Sequence, residues 1–358
     1  MSIIEHDGQV HNPLGGACYV FEENILNWLS KQTHKDKIRI SIGAQPNSSP
    51  HFGTLSVFCL AFALEAKIRE ASSKGIEVLF EIIDTAPFET KEIDGIKYQI
   101  SLRASGVADK YLTQFEELLA KLGSLSGISY QYRRQEEFNN QSKIPSILQK
   151  IAKNQNAIVS ILDPEQGRLR IRVACKYCGL TDKHSIKTVI NDDGIKSYCP
   201  EHGWYETKYA ESNKFEYNTP LRNLIRALLY AEDNIDTSID FEWLRITGSD
   251  YAGFYQEQLL YRPASVLGYR ASELPIILYS PLITDWSGAK LSKSLYVKHG
   301  AYKYLPNYIV NYEQFREMFG EKGIETLYKE VLSWVENPYK LFRNYSVYYF
   351  IDLFKNAK

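Results

Sequence analysis

The stretch IRISIGAQPNSSPHFGTLSVFCLAFALEAK, residues 38–67, decides how this chain is read. Ile38, Ile40 and Ile42 alternate with Arg39 and Ser41, the period-two pattern of a strand. The alternation stops at GAQPNSSP, and after His51 the apolar residues recur with helical spacing. A plain strand-to-helix connection is commonly shorter. The turn-forming run is therefore read as the wall of a binding site over the helix start. A helix N-terminus carries unpaired N–H groups and the positive end of the macrodipole, which suits phosphate. Gly53 leaves room for a phosphate or a flat ring to approach the backbone, and His51 points toward the same anion.

Working outward, residues 37–44 read as a strand, 51–70 as a helix and IEVLFEII at 76–83 as a second, fully buried strand. That is a β-α-β unit, which implies parallel strands and a right-handed crossover. A helix at 107–122, a short strand at 128–133 and a helix at 142–155 continue the alternation. The expected class is α/β, with half of a doubly wound parallel sheet in residues 1–163 and a ligand at the carboxyl end of its first strand. From residue 164 to 214 the texture changes to short β-like pieces and turn residues, read as an insertion. Helical periodicity returns at 220–232, followed by FEWLRITGSD, a helix near 253–267 and the strand-like LPIILYSPLIT. Residues 215–300 are thus expected to complete the sheet, and 301–358 to form a short helical extension.

The chain has 358 residues, 44% hydrophobic and 24% charged, in the range of ordinary globular proteins. Its formal net charge of −1 weakens the case for a protein whose main work is gripping a phosphate backbone. No apolar run reaches the ~20 residues that span a bilayer, so no membrane partner is expected. The start, MSIIEHDGQV, lacks the basic and apolar regions of a signal peptide, and the expectation is a cytoplasmic protein. Cys18 and Cys59 sit among apolar residues and read as small buried hydrophobes.

The other three cysteines are clustered. Cys175-x2-Cys178, twenty intervening residues, then Cys199-x2-His202 is a four-ligand set with zinc-ribbon spacing. Gly179 and Gly203 follow each pair, where a tight knuckle needs a permissive backbone. Four ligands close the coordination sphere, so the expected Zn2+ is structural. His184 is a competing fourth ligand that would break the pairing.

Far downstream, SGAKLSKSLYV places Lys290, Ser292, Lys293 and Ser294 in a polar loop after a strand, where they can follow charge on a transferring phosphoryl group. Pro-x3-Pro-His-x-Gly-Thr at 46–54 together with Lys-Leu-Ser-Lys-Ser at 290–294 resembles the two signature motifs of class I aminoacyl-tRNA synthetases, in the same order. More narrowly, the chain resembles the class I lysyl-tRNA synthetases, which have a similar first motif, an inserted zinc-binding segment and a Gly-x-Asp-His stretch. Here that stretch is Gly248-Ser249-Asp250-Tyr251. The resemblance covers roughly residues 36–300. It implies a Rossmann-like fold of the nucleotidylyl transferase type and activation of an amino acid by ATP and Mg2+. His51 would contact the phosphates, with Pro50, Gly53 and Thr54 beside the nucleotide. Lys290 and Lys293 would neutralise the transition state, with Ser292 and Ser294 in the same loop. Gly248 and Asp250 would lie near adenine and ribose, and Gly43, Asn218, Asn223 and Tyr251 near the amino acid.

The departures from that pattern shape the expectation. The second motif continues as Leu295-Tyr296, where the family carries Lys-Gly, and the first ends in Thr54. Asn218 and Asn223 stand where the family has an acidic residue and a tryptophan, removing groups suited to a lysine ammonium. The 64 residues that follow the second motif, 295–358, are too few for the family's anticodon-binding region. The expectation is an AMP-forming ligase that adenylates an amino acid and passes it to a small molecule, peptide or carrier protein. The alternatives are acceptor-stem recognition of tRNA and an inactive paralogue that binds an amino acid or tRNA.

Overall fold

The computed structural model describes residues 25–26, 29, 33–291, 302–341 and 343–355. Within them, the alternation at 38–42 makes strand β1 (Lys37–Ala44), with Ile38, Ile40 and Ile42 buried on one face. β1 pairs in parallel on both sides, with β2 (Gly75–Ile82) and with β4 (Phe241–Gly248). β3 (Tyr130–Arg134) extends the sheet beyond β2, and β5 (Ile276–Ser280) extends it beyond β4, again in parallel. The order is therefore β5-β4-β1-β2-β3, a doubly wound parallel sheet. The chain leaves β1 in one direction and returns on its other side, so a crevice opens beyond the carboxyl ends of β1 and β4.

Helix α1 (Phe52–Ala71) follows β1 and is buried on nearly every side, including Phe52, Leu55, Phe58 and the run Cys59–Leu64. A helix so apolar all round must be covered twice. The sheet face bearing Ile40, Ile42, Leu244 and Ile246 covers one side, with α2 (Ala108–Ser126) beside it. The C-terminal residues cover the other, led by α4 (Tyr312–Glu336). Phe52 meets the rings of Phe315, Phe350 and Phe354 at centroid distances of 5.3–5.6 Å. Residues 302–355 are thus part of the main core and not an appendage to it.

The opposite sheet face packs on α3 (Thr219–Ile235) and the helices Ile144–Lys153 and Gln155–Leu162, around Leu79, Trp243, Ile277 and Tyr279. This second core contains a polar layer. The Tyr230 hydroxyl lies 2.8 Å from Ser41 Oγ and donates to Glu81 at 2.7 Å, and Arg133 donates to both Glu81 oxygens. Burial opposes the charge on Glu81, but Arg133 and Arg226 outweigh it and hold the carboxyl below its ordinary range.

The insertion closes at its base, where Ile171–Val173 pairs antiparallel with Phe215–Tyr217. Its main hairpin joins Gly194–Cys199 to Gly203–Lys208. Separately, the insertion's short strand Thr181–Asp182 adds to a second hairpin, Pro87–Ile93 and Ile96–Ser101, through Tyr98↔Asp182 and Gln99↔Thr181. No helix among the described residues is long and apolar enough to cross a membrane.

Glu65 lies within α1, buried, with Oε2 lacking a hydrogen-bond partner among the described residues. Burial pushes its carboxyl up to about 7, only partly offset by Arg69. A folded-state value raised in this way favours the protonated fold, so that contribution is complete below the unfolded value and lost as pH rises through about 7. Glu65→Gln should therefore exceed the parent in stability at pH 8 by roughly 2–3 kcal/mol and match it at pH 4.5. Urea unfolding at both pH values measures this. An equal difference at both would place the cause elsewhere.

Candidate functional site

A cavity of about 290 Å3 fills the crevice beyond β1 and β4, at the lower end of the size of small-molecule sites. Gly43, Pro50, His51, Gly53, Thr54, Gly248, Asp250, Tyr251 and Lys290 all line it, so three distant stretches of sequence meet there. Ser292, Lys293 and Ser294 lie outside the described residues.

The loop after β1 is held on both sides. Ser49 Oγ donates to Gln114 Oε1 at 2.6 Å and accepts the amide of Tyr312 at 2.9 Å, tying the loop to α2 and α4. His51 is the N-cap of α1, in extended backbone conformation, and its Nδ1 accepts the Gly53 amide at 3.0 Å. A ring whose Nδ1 accepts carries its proton on Nε2 when neutral. The Thr54 and Leu55 amides both reach the His51 carbonyl. The mouth of α1 therefore sets the His51 imidazole at the positive end of the helix dipole, with the Gly53 amide engaged by the ring.

Gly53 is explained by its neighbour. A Cβ at residue 53 would lie 2.9 Å from His51 Cε1, so any side chain there displaces the imidazole from its cap. Gly248 repeats this arrangement, because a Cβ there would come within 2.4 Å of Asp250 Oδ1. In both motifs the glycine clears the functional side chain two residues on or two residues back.

Lys290 reaches the cleft through a tight turn. Asp285 Oδ1 accepts from the amide and hydroxyl of Ser287 at 2.8 and 2.6 Å, and Gly288 takes φ +79°. The Asp285 amide then bonds Ala289 O, and that of Leu291 bonds Ile283 O, both at 2.8 Å. Residues Ile283–Thr284 are braced by Tyr345–Ser346 from the C-terminal region. Lys290 Nζ donates to Asp250 Oδ2, so the two candidate residues pair across the cleft, both partly exposed.

Asn218 and Asn223 do not line the cavity. Asn218 caps α3, its Oδ1 accepting the Leu221 amide at 3.1 Å. Asn223 lies behind the wall, accepting from Arg245 at 2.6 Å and donating to the Tyr255 hydroxyl. The residue of α3 that does line the cavity is Arg222, which sequence reasoning passed over. Arg222, Arg226 and Arg245 are all buried or half-buried on the α3 side of the sheet. Among the described residues no carboxylate makes an ion pair with any of the three. Burial, and then the charge of Arg226, push the Arg222 guanidinium down to about 10, so it is still cationic at neutral pH. The available signal was Arg222 and Arg226 spaced i, i+4 among apolar residues, with a third arginine inside the apolar strand WLRIT.

The second cluster is a group of four side chains that could hold a metal ion. The ligand atoms of Cys175, Cys178, Cys199 and His202 all lie within 4.8 Å of one another. Cys178 Sγ and Cys199 Sγ are 3.5 Å apart, and His202 Nδ1 is 3.6 Å from both Cys175 Sγ and Cys199 Sγ. A tetrahedral ion with ordinary zinc bond lengths needs edges of about 3.8 Å between thiolates and about 3.6 Å to imidazole. The donor set fits. Gly179 and Gly203 take φ +74° and +77°, completing the two knuckles. His184 instead contacts Arg170 and is outside the set.

No family model and no curated protein matches the sequence. Among solved structures, a Campylobacter jejuni protein named "putative arginyl t-RNA synthetase" is similar at 9% identity over 85% of this chain and 68% of that one, with a TM-score of 0.38. A likeness this weak assigns neither fold nor function.

Protein purified without chelator should carry one metal ion per chain, and Cys199→Ser should abolish it. Because a structural ion contributes folding free energy, the variant should be nicked by protease first within residues 175–208. Elemental analysis and limited proteolysis check both points. A metal-free parent with an equally resistant insertion would contradict the assignment.

Proposed function

We propose that this chain activates an amino acid with ATP, forming an aminoacyl adenylate and releasing pyrophosphate, in the manner of a class I aminoacyl-tRNA synthetase core. The observation that carries the reading is the meeting of the His51-capped helix mouth with Gly248, Asp250 and Lys290 in one crevice at the sheet's switch point. The resemblance of 46–54 and 290–294 to the two class I signatures supports it from sequence alone.

In this mechanism an oxygen of the amino-acid carboxylate attacks the α-phosphorus of ATP. The new O–P bond forms as the bond to the bridging oxygen breaks, and pyrophosphate leaves with both bonding electrons. No covalent enzyme intermediate is needed, so the protein supplies positioning and charge stabilisation. His51 Nε2–H donates to the phosphates at the positive end of α1. Asp250 accepts from the ribose hydroxyls, Gly248 admits the nucleotide, and Lys290 exchanges its carboxylate partner for phosphate oxygen. Lys293 is assigned the developing charge on the leaving group, with Mg2+ entering on ATP.

The Cys3His set is assigned to zinc with a structural role, holding the insertion's two knuckles together. A formal net charge of −1 supplies little counterion-release affinity for a polynucleotide, which favours a small-molecule, peptide or carrier-protein acceptor over a tRNA acceptor stem. Among the described residues no cysteine is in a disulfide, which fits a reducing, cytoplasmic location.

Amino-acid-dependent ATP–pyrophosphate exchange across all twenty amino acids tests this reading. One or a few should support exchange. His51→Ala, Lys290→Ala and Lys293→Ala should each lower it roughly 10²-fold, the loss expected when one charge-stabilising donor goes. Gly53→Ala should fall with His51→Ala, because it moves the same ring, while losing no more than ~1–2 kcal/mol of stability. A parent without exchange for any amino acid, or variants as active as the parent, would contradict the proposal.

A further inference from the structure

Arg222 stands on the wall of the cleft opposite α1, on the helix that covers the other face of the sheet. It is only 4% exposed. Its Nε has no hydrogen-bond partner among the described residues, and its Nη2 has only a long contact of 3.3 Å to Thr219 Oγ1. A buried guanidinium ordinarily comes with a carboxylate. This one is instead surrounded by like charge. Arg226 lies one turn further along the same helix, and Arg245 projects from β4 onto the same side, held by Asn223. Glu81, the buried carboxylate of the polar layer described above, is engaged by Arg133 and Tyr230, and its charge acts on Arg226 and not on Arg222. Arg222 also sits in the first turn of a 17-residue helix, where the macrodipole adds positive potential.

A cation arranged so unfavourably in the unliganded chain calls for an anion from the ligand. The phosphates are accounted for on the other wall by the α1 mouth and Lys290. Resting on the activation reading above, we propose that the amino acid taken by this site has an acidic side chain, whose carboxylate pairs with Arg222. The α-carboxylate then faces the phosphates. Arg226 and Arg245 stay behind the wall and deepen the positive potential, which rejects a lysine or arginine side chain by like-charge repulsion. Neutral amides lose the charge-assisted pair and leave the guanidinium buried without a counter-ion.

Equilibrium dialysis without ATP, using labelled aspartate, glutamate, asparagine, glutamine and lysine, tests this beside pyrophosphate exchange with the same set. Aspartate or glutamate should bind at least roughly 10²-fold tighter than any amide or lysine, the scale of truncating a buried charge pair. Arg222→Gln should lose that preference, Arg222→Lys should recover part of it, and ATP affinity should stay within about threefold in both. Retained ATP binding also shows that the variants are folded, and the parent's own selectivity tests the idea without any variant. Arg222-dependent binding of an acidic amino acid without exchange would support this inference and overturn the activation reading. Exchange driven best by a neutral or basic amino acid would overturn this inference and leave activation standing. An Arg222→Gln variant that loses ATP instead would assign Arg222 to the phosphates and overturn it as well. No binding and no exchange would overturn both.

Discussion

The cleft depends on one constraint, the parallel pairing of β1 with a strand on each side. Because β1 is central, its following helix is pressed against the sheet and must be apolar all round, which then demands a second cover from residues 302–355. Because the chain returns on the other side of β1, the carboxyl ends of β1 and β4 carry the two loops that meet. Those loops bring His51 and Asp250 to one cavity, although about 200 residues separate them in sequence. The C-terminal region contributes twice, by closing the core over Phe52 and by bracing the turn that presents Lys290.

The two motifs at the cleft share a local device. His51 folds onto the amide of Gly53, and Asp250 folds over Gly248, and in each case a Cβ at the glycine would occupy the space of the polar group. The glycines therefore set the rotamers of their polar neighbours, in addition to any room they leave for a ligand. The two walls of the cavity differ in charge design. On the α1 side the polar groups are capped or paired, whereas on the α3 side Arg222 is buried without an acidic partner.

Much of the sheet was legible because its strands have clear periods. β1 alternates, IEVLFEII is apolar except at Glu77 and Glu81, and the described bounds of α1 differ from those expected by one residue at each end. The cysteine set was legible because ligand spacing is local. The hairpin at 87–101 was not, because PFETKEI is an exposed, charged edge with no apolar face. The helix Gln155–Leu162 was lost against its neighbour because only Asn154 separates the two. Arg222 was passed over for a different reason. A charged residue on a helix is usually solvated, and only the tertiary fold shows that this one faces a cavity. Attention to Asn218 and Asn223 followed the sequence match, while the structure gives both a role in holding α3 and its surroundings.

The central claim is that the crevice beyond β1 and β4 is where nucleotide and amino acid meet. A crystal structure of the protein with Mg2+ and a non-hydrolysable ATP analogue tests it most directly. The account predicts phosphate density over the start of α1, within hydrogen-bonding reach of His51 Nε2, and ribose density beside Asp250. Nucleotide bound at any other place, with the crevice holding only solvent, would contradict it.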